Sequence, residues 1–360
     1  SACEKGEQWQ QALSLLGELG QTAAGPDLIS YSAAISACEK CGQWQWALSL
    51  LGDLRQATLQ PDAISYGAAV SACGRGGQWQ QALMLVREAG SSALRSLNSA
   101  AEPDMIVYSA GIDACGKAGQ WQHALSLLRE AQDRKLELNL VVFNAAISAC
   151  ENGWQFQRAL SLLGELQDAE LTPDVITYTA AMNACEKGGQ WQRALLLFRE
   201  LWQVSLTPNT ISYQTGITAC GQGGLWQQAV SLLEESCHAS VVPNAFLCSA
   251  ALNACEKGGQ WQQALALLRQ CLHSSIESSV VCYGSVLGSV SAGGQWHLAL
   301  SLLDELLQIP LEPDAVTYCL TFGACEKAGS LRQQSMSLLG RLQESSGALL
   351  KQGSARSQKK

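Results

Sequence analysis

The chain has 360 residues, 47% of them apolar and 15% charged, with a net charge of −8 and 15 cysteines. This composition excludes a disordered chain, which lacks the apolar surface to form a core. No apolar run approaches the ~20 residues that span a bilayer, and the negative balance argues mildly against a nucleic-acid partner.

Residues 1–27 hold the end of a repeat. Trp9 stands in the phrase Glu-Gln-Trp-Gln-Gln-Ala-Leu, and the phrase returns around Trp44 and Trp79, 35 residues apart. After a seven-residue slip it continues at Trp121, Phe156, Trp191, Trp226, Trp261 and Trp296, with Leu331 in the next position. A fixed period of this length marks a solenoid, in which each repeat is one small unit stacked on its neighbours. The period predicts one continuous array. The start at Ser1, in mid-repeat and without Met, predicts a piece of a longer array, with any targeting peptide outside it.

Leu28 to Asp62 serves as the type unit, and its residues define slots 1 to 35. Tyr31, Ala34, Ile35 and Cys38 fall at i, i+3, i+4 and i+7, the apolar stripe of a first helix, A. Lys40-Cys41-Gly42 closes it, glycine supplying the left-handed terminus. Trp44, Ala47, Leu48, Leu51 and Leu54 give a second helix, B. Pro61-Asp62 ends the unit: proline stops helix B, and Asp or Asn caps the next helix A. The slot-17 Trp continues the stripe of helix B, which predicts packing between the A and B layers; a stacking platform for nucleobases is the alternative.

In unit 63–104 the seven extra residues keep helical spacing through Leu83, Val86, Gly90, Ala93, Leu97 and Ala101. This predicts a lengthened helix B, a looped insertion being the alternative. Units 105–139, 140–174, 175–209, 210–244, 245–279 and 280–314 follow in register. Unit 315–349 is degenerate, and 350–360 is a polar, basic tail.

Some positions read the same way in every unit. Cys3, Cys38, Cys73, Cys115, Cys150, Cys185, Cys220, Cys255 and Cys325 all fill slot 11. Stacked helices sit ~8–10 Å apart, beyond the ~7 Å between Cα atoms that a disulfide tolerates. These cysteines read as small buried side chains in a reducing compartment. Cys38 and Cys41 form the only Cys-x-x-Cys, without a second pair or a nearby His, so no metal is expected. Acidic residues at Glu18, Asp53, Glu88, Glu130, Glu165, Glu200, Glu235 and Glu305 read as a solvated stripe on helix B. His123, His238, His273 and His297 are isolated and read as helix-surface residues.

Slot 5 varies while its surroundings do not: Ser32, Gly67, Ser109, Asn144, Thr179, Gln214, Ser249 and Gly284. Slot 35 is restricted: Asp62, Asp104, Asn139, Asp174, Asn209, Asn244, Ser279 and Asp314. A constant frame with one varied polar slot is how a modular reader is built. Slot 13 is basic at Lys40, Arg75, Lys117, Lys187, Lys257 and Lys327, a stripe able to follow phosphates.

The run Ile-Ser-Tyr-Ser-Ala-Ala-Ile-Ser-Ala-Cys-Glu-Lys-Cys-Gly at 29–42, the Trp-Gln-x-Ala-Leu helix and the closing Pro-Asp resemble a pentatricopeptide repeat protein. The resemblance implies an all-α, right-handed α-α superhelix that binds single-stranded RNA in a chloroplast or mitochondrion, one base per repeat, through slots 5 and 35. It implies that slot 2 sandwiches each base: Ile29, Ile64, Ile106, Val141, Ile176, Ile211, Phe246 and Val281. It places the slot-13 cations near phosphates. By the family's code, Ser32/Asp62 resembles a G reader, Ser109/Asn139 and Thr179/Asn209 resemble A readers, and Asn144/Asp174 resembles a U reader. Gly67/Asp104, Gln214/Asn244, Ser249/Ser279 and Gly284/Asp314 match no clear pair. No His-x-Glu with a following Pro-Cys-x-x-Cys is present, so no deaminase, catalytic residue, cofactor or small-molecule substrate is expected. RNA-processing proteins are further expected partners, and a protein-binding scaffold is the alternative function.

Overall fold

The computed structural model describes residues 2–20, 25–57, 59–91, 102–239, 244–273, 280–309 and 313–327. Among these are 18 helices and no strand. The chain forms two compact units, Ser1–Gln190 and Trp191–Lys360, where the unbroken period predicts one array. The division falls between the two helices of repeat 175–209. A chain whose repeats contact only their neighbours can divide at any such step.

The first unit opens with α1 (Ala2–Gly20). Its A helices are α2 (Leu28–Lys40), α4 (Ala63–Arg75), α6 (Glu102–Lys117), α8 (Leu140–Asn152) and α10 (Val175–Lys187). Its B helices are α3 (Trp44–Gln56), α5 (Trp79–Ser91), α7 (Trp121–Asp133) and α9 (Phe156–Asp168). In the second unit, α11 (Trp191–Gln203), α13 (Trp226–His238), α15 (Trp261–His273) and α17 (Trp296–Gln308) are B helices. They alternate with A helices α12 (Thr210–Gln222), α14 (Ala245–Lys257), α16 (Val280–Ala292) and α18 (Ala315–Lys327).

Within the first unit α2, α4, α6 and α8 each pack on their own B helix and on the next A helix, and within the second α12, α14 and α16 do the same. The A layer is close because its contact positions are small. A Cβ at Gly74 would stand 2.8 Å from Ala114 Cβ, and one at Gly116 2.9 Å from Ala149 Cβ. Helix α4 is consequently buried on almost every side. The B helices bury one stripe only, such as Ala47, Leu50, Leu51 and Leu54 of α3.

The turn from A to B has one geometry. Gly42, Gly77, Gly119, Gly189, Gly224, Gly259 and Gly294, all in slot 15, take φ between 66° and 71°. The slot-16 amide returns to the slot-11 carbonyl, as in Gln43 N to Cys38 O at 2.9 Å, which closes the helix. In repeat 140–174 this slot holds Trp154, with φ 60° and two-thirds exposed. A left-handed backbone costs a residue with a Cβ about 1–2 kcal/mol.

The slot-17 ring has a more specific seat than packing between the A and B layers. It lies on the slot-14 glycine of the following repeat: Trp44 on Gly76, Trp121 on Gly153, Phe156 on Gly188, Trp191 on Gly223, Trp226 on Gly258 and Trp261 on Gly293. A Cβ at Gly223 would come within 2.8 Å of the Trp191 ring. Trp79 belongs to the longer repeat 63–104; slot 14 of the repeat after it is Ala118, and the Trp79 ring meets His123 instead at 5.0 Å between centroids. His123 is thus part of the packing rather than an isolated surface residue.

Other expectations are corrected. The acidic stripe on helix B does more than meet solvent. Glu130 accepts from the Tyr108 hydroxyl at 2.9 Å, and Glu235 from that of Tyr213 at 3.5 Å, tying slot 26 to slot 4 of the same repeat. Burial, with Glu235 beside it, pushes Tyr213 up to about 12. In the 63–104 unit, helix B is described over Trp79–Ser91, and the lengthening expected through Ala93, Leu97 and Ala101 falls outside the described residues. Pro103-Asp104 does not cap α6 from outside, because the helix already begins at Glu102 and holds both in its first turn. Proline needs no backbone N–H bond there.

Trp154→Gly is expected to raise stability by about 1 kcal/mol, since it relieves the left-handed strain and gives up little burial. Gly223→Ala should lower stability by about 1–3 kcal/mol through the clash with Trp191. Both are read from urea unfolding midpoints.

Candidate functional site

Slots 2 and 5 lie together on one face of the A helices. In the first unit they line a groove of about 570 Å³. Its walls are slots 2, 5 and 6 of three successive helices: Ile64, Gly67 and Ala68 of α4; Ile106, Ser109 and Ala110 of α6; Val141, Asn144 and Ala145 of α8. Side chains one helical turn apart, carried by helices stacked in register, produce this alignment.

Slot 2 is the least expected part on physical grounds. Ile29, Ile64, Ile106, Val141, Ile176, Ile211, Phe246, Val281 and Val316 are exposed by between 48% and 75%. One exposed aliphatic residue needs no explanation. The same slot is left open on five A helices of the first unit and four of the second, an apolar rung on each that folding does not use.

Slot 5 is half-buried or buried beside it. The Ser32, Ser109 and Ser249 hydroxyls donate to the slot-2 carbonyls of Ile29, Ile106 and Phe246 at 3.0, 2.9 and 2.9 Å. The Thr179 hydroxyl donates to Val175 O at 2.6 Å. With the proton used on the helix, each oxygen offers a ligand an acceptor. Gly67 is dictated by packing, because a Cβ there would come within 2.8 Å of Ile106 Cγ2.

Slot 35 is structural. Asp62, Asn139, Asp174, Asn209, Asn244 and Asp314 all cap the following A helix, each Oδ1 accepting from the third amide at 2.8 to 3.1 Å. Asp27 does the same for α2, and the hydroxyl and amide of Ser30 hold its carboxyl below the ordinary value. That cap is therefore in place at neutral pH and weakens as pH falls through the depressed value. Since Oδ1 serves the cap, a ligand meets the other fork atom: an acceptor in Asp, a donor in Asn. Slots 5 and 35 touch directly in repeat 140–174, where Asn144 Nδ2 donates to Asp174 Oδ1 at 3.3 Å. The Asp104 side chain, Ser279 and the Lys327 side chain lie outside the described residues.

The slot-13 stripe departs from the expectation of free cations. Arg75 pairs with Glu39 of the preceding repeat at 3.3 Å, and Lys187 with Glu151 of the preceding repeat at 2.9 Å. Lys117 pairs with Asp113 at 2.6 Å. Lys40 and Lys257 are exposed. A phosphate would compete with these carboxylates, two of which, Glu39 and Asp113, line the groove. The slot-11 cysteines behave as expected: Cys73, Cys115, Cys150, Cys220 and Cys255 are buried, which pushes their thiols up to about 11. Among the described residues no group of three or more His, Cys, Asp or Glu could hold a metal ion, and no helix is long and apolar enough to cross a membrane.

Family models decide the class of this array. A PPR repeat model matches residues 29–58, 64–91 and 106–136, and a pentatricopeptide repeat domain model matches 161–223. The chain belongs to the pentatricopeptide repeat family. Its repeats are similar to those of solved members. The pentatricopeptide repeat protein PPR10 from maize is 16% identical with a TM-score of 0.45, over 97% of this chain and 62% of that one. PPR10 in complex with an 18-nt psaJ RNA element is 17% identical with a TM-score of 0.44, over 94% of this chain and 56% of that one. The PPR domain of Arabidopsis thaliana protein-only RNase P 1 in complex with tRNA is 17% identical with a TM-score of 0.42, over 47% of this chain and 89% of that one. This chain thus spans about 62% of the maize protein's length. No curated protein matches the sequence.

Asp174→Ala should destabilise the protein by about 1 kcal/mol through loss of the cap, whereas Asp174→Asn, which keeps an Oδ1 acceptor, should cost no more than a few tenths. Thermal unfolding by circular dichroism measures both.

Proposed function

We propose that this protein binds single-stranded RNA along the slot-2/5/35 face, one base to a repeat, and acts by occupying the RNA without catalysis. The observation that carries the proposal is the exposed apolar rung at slot 2, repeated on five A helices of the first unit and four of the second. Its spacing matches the repeat, and between its rungs lie polar side chains with unspent hydrogen-bonding atoms. An unstacked base offers an apolar face and a polar edge, and this face offers the complement of both. Family membership supports the same ligand, since PPR10 and the RNase P 1 PPR domain are each described in complex with RNA.

By the family's code, repeats 28–62 to 280–314 read G-n-A-U-A-n-n-n. Half the positions are undefined, so binding is degenerate. The site of action is an organelle, where bound RNA would be shielded, exposed at a neighbouring site or presented to processing proteins. The negative net charge and the paired slot-13 cations favour the second reading, a scaffold for a protein partner.

Selection of RNAs from a random pool by the purified, folded chain tests the proposal. Enrichment of a motif containing A-U-A is expected. Asn144→Thr should move the preference at its one position from U towards G. No enrichment at low salt sinks the RNA reading, and capture of one stoichiometric protein supports the scaffold.

A further inference from the structure

Thr177 is the third residue of repeat 175–209 and is fully buried. Its hydroxyl lies 2.6 Å from Asn144 Oδ1 and 2.8 Å from Asp174 Oδ1, the two reading residues of the repeat before it. It also accepts from the Asp174 amide at 3.2 Å. One hydroxyl thus joins slot 5, slot 35 and the start of the next helix.

This arrangement allows Asn144 one orientation. With Oδ1 towards Thr177 and Nδ2 towards Asp174, the amide donates to the carboxylate, and the one Thr177 hydroxyl proton is shared between Asn144 Oδ1 and Asp174 Oδ1. Turned over, the amide would set its oxygen against the Asp174 carboxylate, two acceptors face to face. The pair therefore offers a ligand the second N–H of Asn144 beside Asp174 Oδ2, a donor next to an acceptor. Uracil complements this with its 4-carbonyl beside N3–H, whereas cytosine carries the reverse order at the same two atoms, an amino donor beside a ring-nitrogen acceptor.

The same position differs with the cap it follows. The Asp caps are followed by hydroxyl residues: Ser30 after Asp27, Ser65 after Asp62, Thr177 after Asp174 and Thr317 after Asp314. Ser30, Ser65 and Thr177 donate to the cap's Oδ1 at 2.6 to 2.8 Å. Of the Asn caps, Asn209 is followed by Ser212, whose hydroxyl donates to its Oδ1 at 3.0 Å, while Asn139 and Asn244 are followed by Val142 and Leu247, which supply the amide alone. A carboxylate takes a further donor with more gain than an amide oxygen does.

We propose that Thr177 is a specificity-determining positioning residue, acting through Asn144 and Asp174 to make repeat 140–174 discriminate uracil from cytosine. The proposal rests on the RNA-binding reading. Its test compares the chain with Thr177→Val, which keeps the shape and the helix cap, and Thr177→Ser, which restores the hydroxyl. Affinity is measured for four RNAs that differ only at the base facing repeat 140–174. The U-over-C preference should fall roughly five- to tenfold in Thr177→Val, about the worth of one hydrogen bond, and return in Thr177→Ser, with circular dichroism showing all three folded. An unchanged preference, or an equal loss of affinity for all four RNAs, overturns the role of Thr177 alone. A parent chain that binds none of the four, or binds them alike, overturns the RNA reading or its base code.

Repeat 245–279 carries an independent feature. Its slot 4 holds Cys248 in place of an aromatic ring, its slot 26 holds Gln270 in place of an acid, and Cys271 follows in slot 27. The partners that tie helix A to helix B elsewhere are missing together. In their place the Cys248 and Cys271 sulfurs stand 2.9 Å apart, both buried, between α14 and α15. Their shared hydrogen bond holds Cys271 below the ordinary thiol value, with Cys248 donating to its thiolate.

The geometry points to an oxidation site here, a Cys248–Cys271 disulfide that cross-links the two helices of one repeat. With a peroxide as oxidant, the two thiols give up two electrons and two protons, an S–S bond forms, and the peroxide leaves as two waters. The full chain exposed to hydrogen peroxide, then alkylated and mapped by mass spectrometry, should yield a peptide linking these residues, reversed by dithiothreitol and absent in Cys271→Ala. Recovery of both as alkylated thiols, or linkage mainly to Cys237 or Cys282, overturns the assignment.

Discussion

The constraint on which this structure depends is the distance between successive A helices. Small residues at slot 12 of one helix and slot 10 of the next, Gly74 on Ala114 and Gly116 on Ala149, let two backbones approach until a single added carbon would collide. Such contact fixes both spacing and rotation, since ridges without side chains cannot slide to a second packing of equal quality. The slot-17 rings add the register along the other edge by resting on the slot-14 glycine of the next repeat. Everything displayed on the opposite edge of the A layer inherits that regularity.

The displayed face shows how structure and recognition share atoms. At slot 35 Asp or Asn starts the next helix in most repeats, and the cap uses one atom of its fork. The other atom changes character between the two residues, so the choice is nearly free for folding and decisive for a ligand. Slot 5 shares in the same way, its hydroxyls spending the proton on the helix and keeping the oxygen. Restriction at slot 35 is therefore a consequence of helix capping and is not by itself a sign of recognition.

Electrostatics set a limit on this array. The cations at Arg75, Lys117 and Lys187 are satisfied within the protein. Exposed pairs of this kind contribute little to stability, but they lower the field a phosphate chain would meet. Affinity must then come mainly from the apolar ladder and the base edges, which suits a ligand whose bases are unstacked.

Much of this was legible in the sequence because a repeat compares itself with itself. The 35-residue period, the alternation of A and B helices, the left-handed glycine and the capping Asp or Asn are local consequences of residue type, and they stand where the pattern places them. Slot 5 was also legible, since it breaks from the apolar stripe that packing explains, whereas slot 2 was singled out only by the family resemblance. What sequence could not supply were the partners, which lie a whole repeat or a whole helix away. Only tertiary structure decided that Trp121 rests on Gly153, that Glu130 holds Tyr108, that Glu39 takes up Arg75, and that Thr177 reaches back to Asn144. The sequence determined which residues form each helix and which face each helix buries, because those follow from backbone geometry and periodicity. Which atoms remain available on the open face depends on contacts between repeats, and those exist only once the helices have stacked.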